Sequence, residues 1–287
     1  MLKKCLCLFV CILLAGSALA AEVKEISVGE NPGFAPDAPL LEVYFFDVYA
    51  TDSILLRCGG ETMLVDCGDT NYGRAYIAPR LRELGVERIN YAVNTHPHDD
   101  HLNGFNTLLD EIPVDVFYTF FPPDACAEQK AFYKTAEKHG LPIIEATDEA
   151  DLSFGGCKIT LYQDTDRRSM NCCSLIMHVQ FGDSAVILMA DSEPDAHRRM
   201  AAKLGESLKA DIIKMPHHGI NSVASDAWNY IRPSFAVITN RINDKTRKTY
   251  NNIRSKGAKG YFTINGYVEC LTDGTRWTIR QIPYDKF

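Results

Sequence analysis

Residues 96–101 carry three histidines and two aspartates: His96, His98, Asp99, Asp100 and His101. Imidazole nitrogen and carboxylate oxygen together make the ligand set of Zn²⁺ and similar transition metals. A lone histidine is usually solvated or structurally satisfied. Three at this spacing, with carboxylates between them, are hard to place that way. Pro97 stiffens the link between His96 and His98. The chemistry expected of this stretch is metal binding.

Such ligands need a scaffold to aim them. Residues 89–94 alternate as a half-buried strand does, and residues 102–109 can start a helix. The histidines are therefore expected on a loop at a strand's end. Further strands are expected at 41–48, 53–57 and 62–66, the last two forming a hairpin across Gly59-Gly60. More follow at 114–118, 158–162, 175–181, 185–189, 211–215, 235–239, 261–263, 267–271 and 276–282. Helices are expected at 74–84, where Pro79 can split the run, and at 128–139, 194–204 and 246–256. His197, beside Arg198 and Arg199, reads as a surface residue. Strand sets alternating with helices predict two stacked sheets with helices outside.

The motif His96-x-His98-x-Asp100-His101 resembles the His-x-His-x-Asp-His signature of the metallo-β-lactamase fold superfamily. The resemblance covers nearly all of residues 41–282. It implies an α/β fold, a four-layer αββα sandwich, with residues 41–287 as one hydrolase domain. Other segments resemble the ComEC-type branch, named for the C-terminal domain of bacterial DNA-uptake channel proteins. Asp47, Val48 and Asp52 match its Asp-Val-Gly-Gln-Gly-Asp opening, whereas Tyr49, Ala50 and Thr51 depart from it. Asn171-x-x-Ser174, Ala190-Asp191 and Lys214-x-Pro216-His217-His218-Gly219 also look like this branch, although Ile220 stands where a serine is usual.

The resemblance implies that Asp191 bridges two metals. An aspartate capping so apolar a strand is costly inside unless it meets a cation or hydrogen-bond donors. It implies that Asp66 supports the metal loop by orienting a ligating histidine through its other ring nitrogen; the plainer reading is a turn aspartate before Cys67-Gly68. One of His217 and His218 is expected to bind metal. His218 is favoured, with His217 facing substrate or supporting the site. Lactamases and glyoxalases carry one more histidine before the Asp191 strand, where this chain has Asn171. The first metal position then keeps His96, His98 and Asp191. The second has Asp100, His101, Asp191 and His218. Asn171 is a poorer Zn²⁺ ligand than imidazole. Cys172 or Cys173 could substitute if a thiol turns inward, but small apolar strand residues are the simpler reading. Two Zn²⁺ ions are expected, with Mn²⁺ an option at the weaker position.

The function expected is that of an exported metal-dependent hydrolase. A phosphodiester of nucleic acid, of a phosphorylated small molecule or of the cell surface is the favoured substrate. Water of lowered pKa between two metals would attack, fixed by Asp100 and Asp191. His217 or Lys214 could add a donor for the anionic substrate, Lys214 reading as structural rather than catalytic. A lactamase or lactonase is the alternative, disfavoured by the missing histidine. A catalytically inactive protein of the same fold, holding metal or an anion, is another.

Composition bounds these readings. The hydrophobic share of 46% and charged share of 23% in 287 residues are ordinary for a globular chain. Lys3 and Lys4, an apolar run from 6 to 14, and Ser17-Ala18-Leu19-Ala20 read as a signal peptide cut after Ala20. The expected product is secreted or extracytoplasmic, without a membrane span. It carries 28 basic against 37 acidic side chains, which disfavours nonspecific nucleic-acid binding. Seven of the ten cysteines remain, an odd and scattered set that does not look like a disulfide framework. Residues 21–40, with three prolines, read as an extended lead-in.

Overall fold

The computed structural model describes residues 21–150 and 152–283; the expected signal peptide lies outside them. Its strands are β1 (Glu22–Glu25), β2 (Leu41–Phe45), β3 (Ile54–Cys58), β4 (Glu61–Val65), β5 (Ile89–Asn94), β6 (Val114–Thr119) and β7 (Ile143–Glu145). They continue with β8 (Lys158–Tyr162), β9 (Ile176–Phe181), β10 (Ser184–Leu188), β11 (Ile212–Lys214), β12 (Phe235–Ile238) and β13 (Lys259–Phe262). β14 (Tyr267–Thr272) and β15 (Arg276–Ile282) end the series.

Nine strands form one sheet in the order β1-β15-β14-β2-β3-β4-β5-β6-β7, and six form the other in the order β13-β12-β11-β10-β9-β8. Period-two alternation divides each strand between two layers. On β4, Met63 and Val65 enter the core between the sheets, while Leu64 joins the helix-covered outer face. On β10, Val186 and Leu188 face inward, while Ala185 and Ile187 meet Met200, Trp228 and Ile253 outside. Three apolar layers therefore separate four structural ones, the αββα sandwich expected from the resemblance.

The expected helix over 74–84 divides as foreseen. A π-helical turn, Gly73–Ile77, precedes the α-helix Ala78–Glu83, which has Pro79 in its first turn. Two readings need correction. The lead-in contains β1, three exposed charged residues around the half-buried Val23, paired in parallel with β15. Its partner lies at the far end of the chain, so no local pattern announces it. His197 is buried, not surface. It shares the inner face of helix Pro194–Leu204 with Ala196, Met200 and Ala201. Its Nε2 lies 2.9 Å from Ser192 Oγ, and its Nδ1 accepts from the Ala224 backbone N–H at 3.3 Å.

What positions the site is a run of parallel neighbours in each sheet. β4 and β5 run parallel in the first, and β10, β11 and β12 in the second. Their carboxyl ends deliver loops to the same edge of the sandwich.

Candidate metal centre

Each of these strand ends contributes side chains. Asp66 follows β4, the 96–101 loop follows β5, Asp191 follows β10, His217 and His218 follow β11, and Thr239 follows β12. Asp52 comes from the loop before β3. Of the six described non-glycine residues with left-handed backbone, four are Asp66, Ala190, His217 and His218. Such conformations persist where the surroundings demand them, and they cluster at functional sites. Two glycines allow the close approach. A Cβ at Gly104 would lie 1.8 Å from the Cys67 carbonyl oxygen, so the segment after the histidine loop docks directly on the exit of β4. Gly219 turns at φ +77°, where a Cβ would meet Ile238 Cγ2 at 2.6 Å.

Asp191 stands at the centre, and its two oxygens face different histidines. Oδ1 lies 3.2 Å from His101 Nε2 and 3.4 Å from His218 Nε2, which is itself 3.3 Å from Asp100 Oδ2. Ligands at metal–ligand distances near 2.1 Å in a tetrahedron are separated by about 3.4 Å. These separations therefore suit one cation between the four side chains. His101 Nε2, His218 Nε2 and Asp191 Oδ1 are all buried with no hydrogen-bond partner. Buried polar atoms are rarely left so, and a cation satisfies all three. Oδ2 lies 3.6 Å from His217 Nε2 and 4.0 Å from His96 Nε2, which approaches His98 Nδ1 at 3.0 Å.

Behind the imidazoles lies a set of orienting groups. Asp66 accepts from the Thr95 backbone N–H at 2.8 Å, from Asn94 Nδ2 at 3.1 Å and from Thr95 Oγ1 at 2.7 Å. His101 Nδ1 lies 2.7 Å from Asp66 Oδ2. This bond leaves the Nε2 lone pair for a metal, the supporting part expected of Asp66. His218 Nδ1 meets Asp52 Oδ1 at 3.2 Å, and Thr239 Oγ1 donates to the same oxygen at 2.6 Å. Lys214, fully buried, pairs with Asp52 Oδ2 and donates to the Ala190 carbonyl at 3.0 Å. Asp52, His101, Asp191 and His218 each offer a ligand atom within 4.8 Å of the others. The Asp52 oxygens, however, already face the back of His218, Thr239 and Lys214. Asp100 is thus the better fourth ligand, and Asp52 the orienting carboxylate.

Electrostatics points the same way. Burial works against charge on His101, but Asp191 and Asp66 outweigh it and push its pKa up to about 10. Burial likewise opposes charge on His218, and Asp191 with Asp52 raises its pKa well above the ordinary value. Asp191, despite its burial, is held well below the carboxylate range by His218 and His101. His96, by contrast, is kept neutral by burial first and then by His101. The carboxylates of Asp52, Asp66, Asp100 and Asp191 thus draw in positive charge as protons, the charge a divalent cation supplies.

The structure brings together His96, His98, Asp100, His101, Asp191, His217 and His218, with Asp66 behind. Asn171 Oδ1 is buried without a partner. Cys172 Sγ meets Ser169 Oγ at 3.2 Å, and Cys173 Sγ donates to the Ser169 carbonyl at 3.4 Å. Both thiols are engaged by their own turn, which favours the apolar-residue reading. Lys214 lies beneath the site and offers no donor to a substrate. Asp52 and Thr239 were missed as orienting groups, although Asp52 stands in the ComEC-type opening segment.

Residues 46–147 match the family described as the metallo-beta-lactamase superfamily. Competence protein ComA of Neisseria gonorrhoeae is 26% identical over 214 residues, covering 72% of this chain and 28% of its own. The uncharacterized protein YcaI of Escherichia coli strain K12 is 22% identical over 234 residues, covering 79% and 28%. The chain thus spans little more than a quarter of these curated relatives. The metallo-beta-lactamase fold protein YhfI from Bacillus subtilis superposes with a TM-score of 0.55 at 17% identity, over 77% of this chain and 96% of that one. CmlA, a diiron beta-hydroxylase from Streptomyces venezuelae, does so at 0.53 and 16%, over 79% and 53%.

Proposed function

We propose, from the match of residues 46–147 to the metallo-beta-lactamase superfamily and the similarity to ComA, that this chain is an exported phosphodiesterase acting through two divalent cations. One observation carries the reading: the two oxygens of Asp191 face two separate groups of imidazoles. Zn²⁺ suits this donor set, with Mn²⁺ an option on the His96–His98 side, where a further histidine is absent before β9. Bound there, a pair of such ions lowers the pKa of water and carries charge developing on a phosphoryl oxygen.

The chain's own groups divide the remaining work. Asp191 holds both groups of histidines in register. Asp100, with 31% of its side chain exposed, is the carboxylate open to solvent and is placed to accept a proton from the attacking water. Asp66 and Asp52 keep His101 and His218 in the tautomer with Nε2 free. The ComEC-type resemblance and the histidine absent before β9 favour a phosphodiester over a lactam in this reading, and the acidic net charge favours a small substrate over long nucleic acid.

The test is turnover of bis-p-nitrophenyl phosphate and of single-stranded DNA with added Zn²⁺ or Mn²⁺. Hydrolysis of either supports the proposal. Turnover of a lactam or lactone with neither phosphodiester cut sinks it. For export, the support is the basic start, the apolar run and the small residues at 17–20. Mass spectrometry of secreted protein should show an N-terminus at Ala21; an intact leader refutes processing.

A further inference from the structure

We propose that His217 is the missing third imidazole of the first metal position, a ligand and not a donor to substrate. The position needs a fourth group beside His96, His98 and Asp191. Neither cysteine is turned to provide it, and Asn171 offers only a carboxamide oxygen. His217 Nε2 lies 3.6 Å from Asp191 Oδ2, the oxygen that also faces His96. With His96 Nε2 and His98 Nδ1 3.0 Å apart, these separations bracket the roughly 3.4 Å expected between ligands of one tetrahedral ion.

The backbone explains how adjacent residues reach different ions. His217 and His218 are both left-handed, at φ 50° with ψ 53° and 28°. Two consecutive non-glycine residues in this region are each strained and persist only where the surroundings hold them. A loop needing only His218 has no use for the first of them. Here the paired turns send one ring to Asp191 Oδ2 and the next to Oδ1. The His217 backbone N–H donates to the Ala190 carbonyl at 2.9 Å, fixing it beside the bridging aspartate. At the ring's far side the Asn221 carboxamide nitrogen lies 3.3 Å from Nδ1. Half a turn about its terminal bond puts the oxygen there, to accept from Nδ1–H and leave the Nε2 lone pair free. The missing histidine before β9 is thus replaced from the other flank of β10, by the first residue of the His-His pair after β11.

This inference rests on the two-ion centre of the proposed function, and counting metal separates the two. Full-length protein is loaded with Zn²⁺, desalted, and its metal measured by mass spectrometry, with affinities from chelator competition. Wild type should hold about two ions, and His217→Gln about one, the same count expected of His96→Ala. Glutamine keeps a hydrogen-bond donor but no imidazole, so a substrate contact would leave both ions bound and raise KM instead. His217→Gln that keeps two ions at wild-type affinity overturns the assignment, as does wild type holding only one. Asn221→Leu, outside the ligand set, should weaken the same ion several-fold; unchanged affinity there counts against the proposal even if His217→Gln misfolds. Phosphodiester turnover can fail with both ions in place, and the ligand assignment can fail with turnover intact.

Discussion

On the Oδ1 side of Asp191 each histidine has a carboxylate behind it: Asp66 at His101 Nδ1 and Asp52 at His218 Nδ1. On the Oδ2 side the backing is neutral. His96 Nδ1 meets the Thr95 hydroxyl at 3.1 Å, and His217 Nδ1 meets the Asn221 carboxamide. Carboxylate backing raises the basicity of a ligating imidazole and fixes its orientation. The first set is also buried, whereas 31% of the His217 side chain is exposed. On the proposed two-ion centre, this asymmetry would make one position tight and the other exchangeable, with Asp191 shared between them.

Breaking the shared residue should have the largest effect. Asp191→Ala is expected to release both ions and to lower turnover by about 1,000-fold or more, read by metal analysis and kinetics. Next comes the base of the tight side. Lys214→Met takes the ammonium from the buried Asp52 Oδ2 and leaves only His218 and Thr239 at its other oxygen, which should cost roughly 3–5 kcal/mol in denaturant unfolding. Retained stability would mean that Asp52 is solvated or metal-bound instead.

Acid gives a smaller effect and needs separating from metal loss. Burial lowers the His197 pKa to about 4, against an unfolded value near 6.5. The folded protein resists this proton while the unfolded chain takes it. Stability is thus full above about pH 6.5 and falls by about 3 kcal/mol as pH drops to about 4. His197→Gln should flatten that window in thermal melts, while the pH of metal release stays the same. Smallest is Asp66→Asn, which should weaken only the tight ion, by about 10–100-fold. Equal weakening of both ions would erase the contrast between the sides.

The histidine loop was legible because its ligands are neighbours in sequence, and type and spacing alone carry the chemistry. Asp191 and His218 needed the family resemblance, since each is a single residue at a strand end. Asp52 escaped notice as an orienting group because its partners are 162 and 187 residues away, at Lys214 and Thr239. His197 was misjudged from its charged neighbours, although the i, i+3, i+4 relation to Met200 and Ala201 places it on the inner face. The two-sheet architecture followed from alternation, whereas β1, mostly charged and exposed, had no pattern to read.

The buried ammonium of Lys214 reaches from the six-stranded sheet to Asp52, which hangs from the nine-stranded one. The complete ligand set spans both sheets, because Asp191 and His218 come from one and the 96–101 loop from the other. An ion bound at the proposed centre would therefore tie the two sheets together, and its binding energy would add to the stability of their docking.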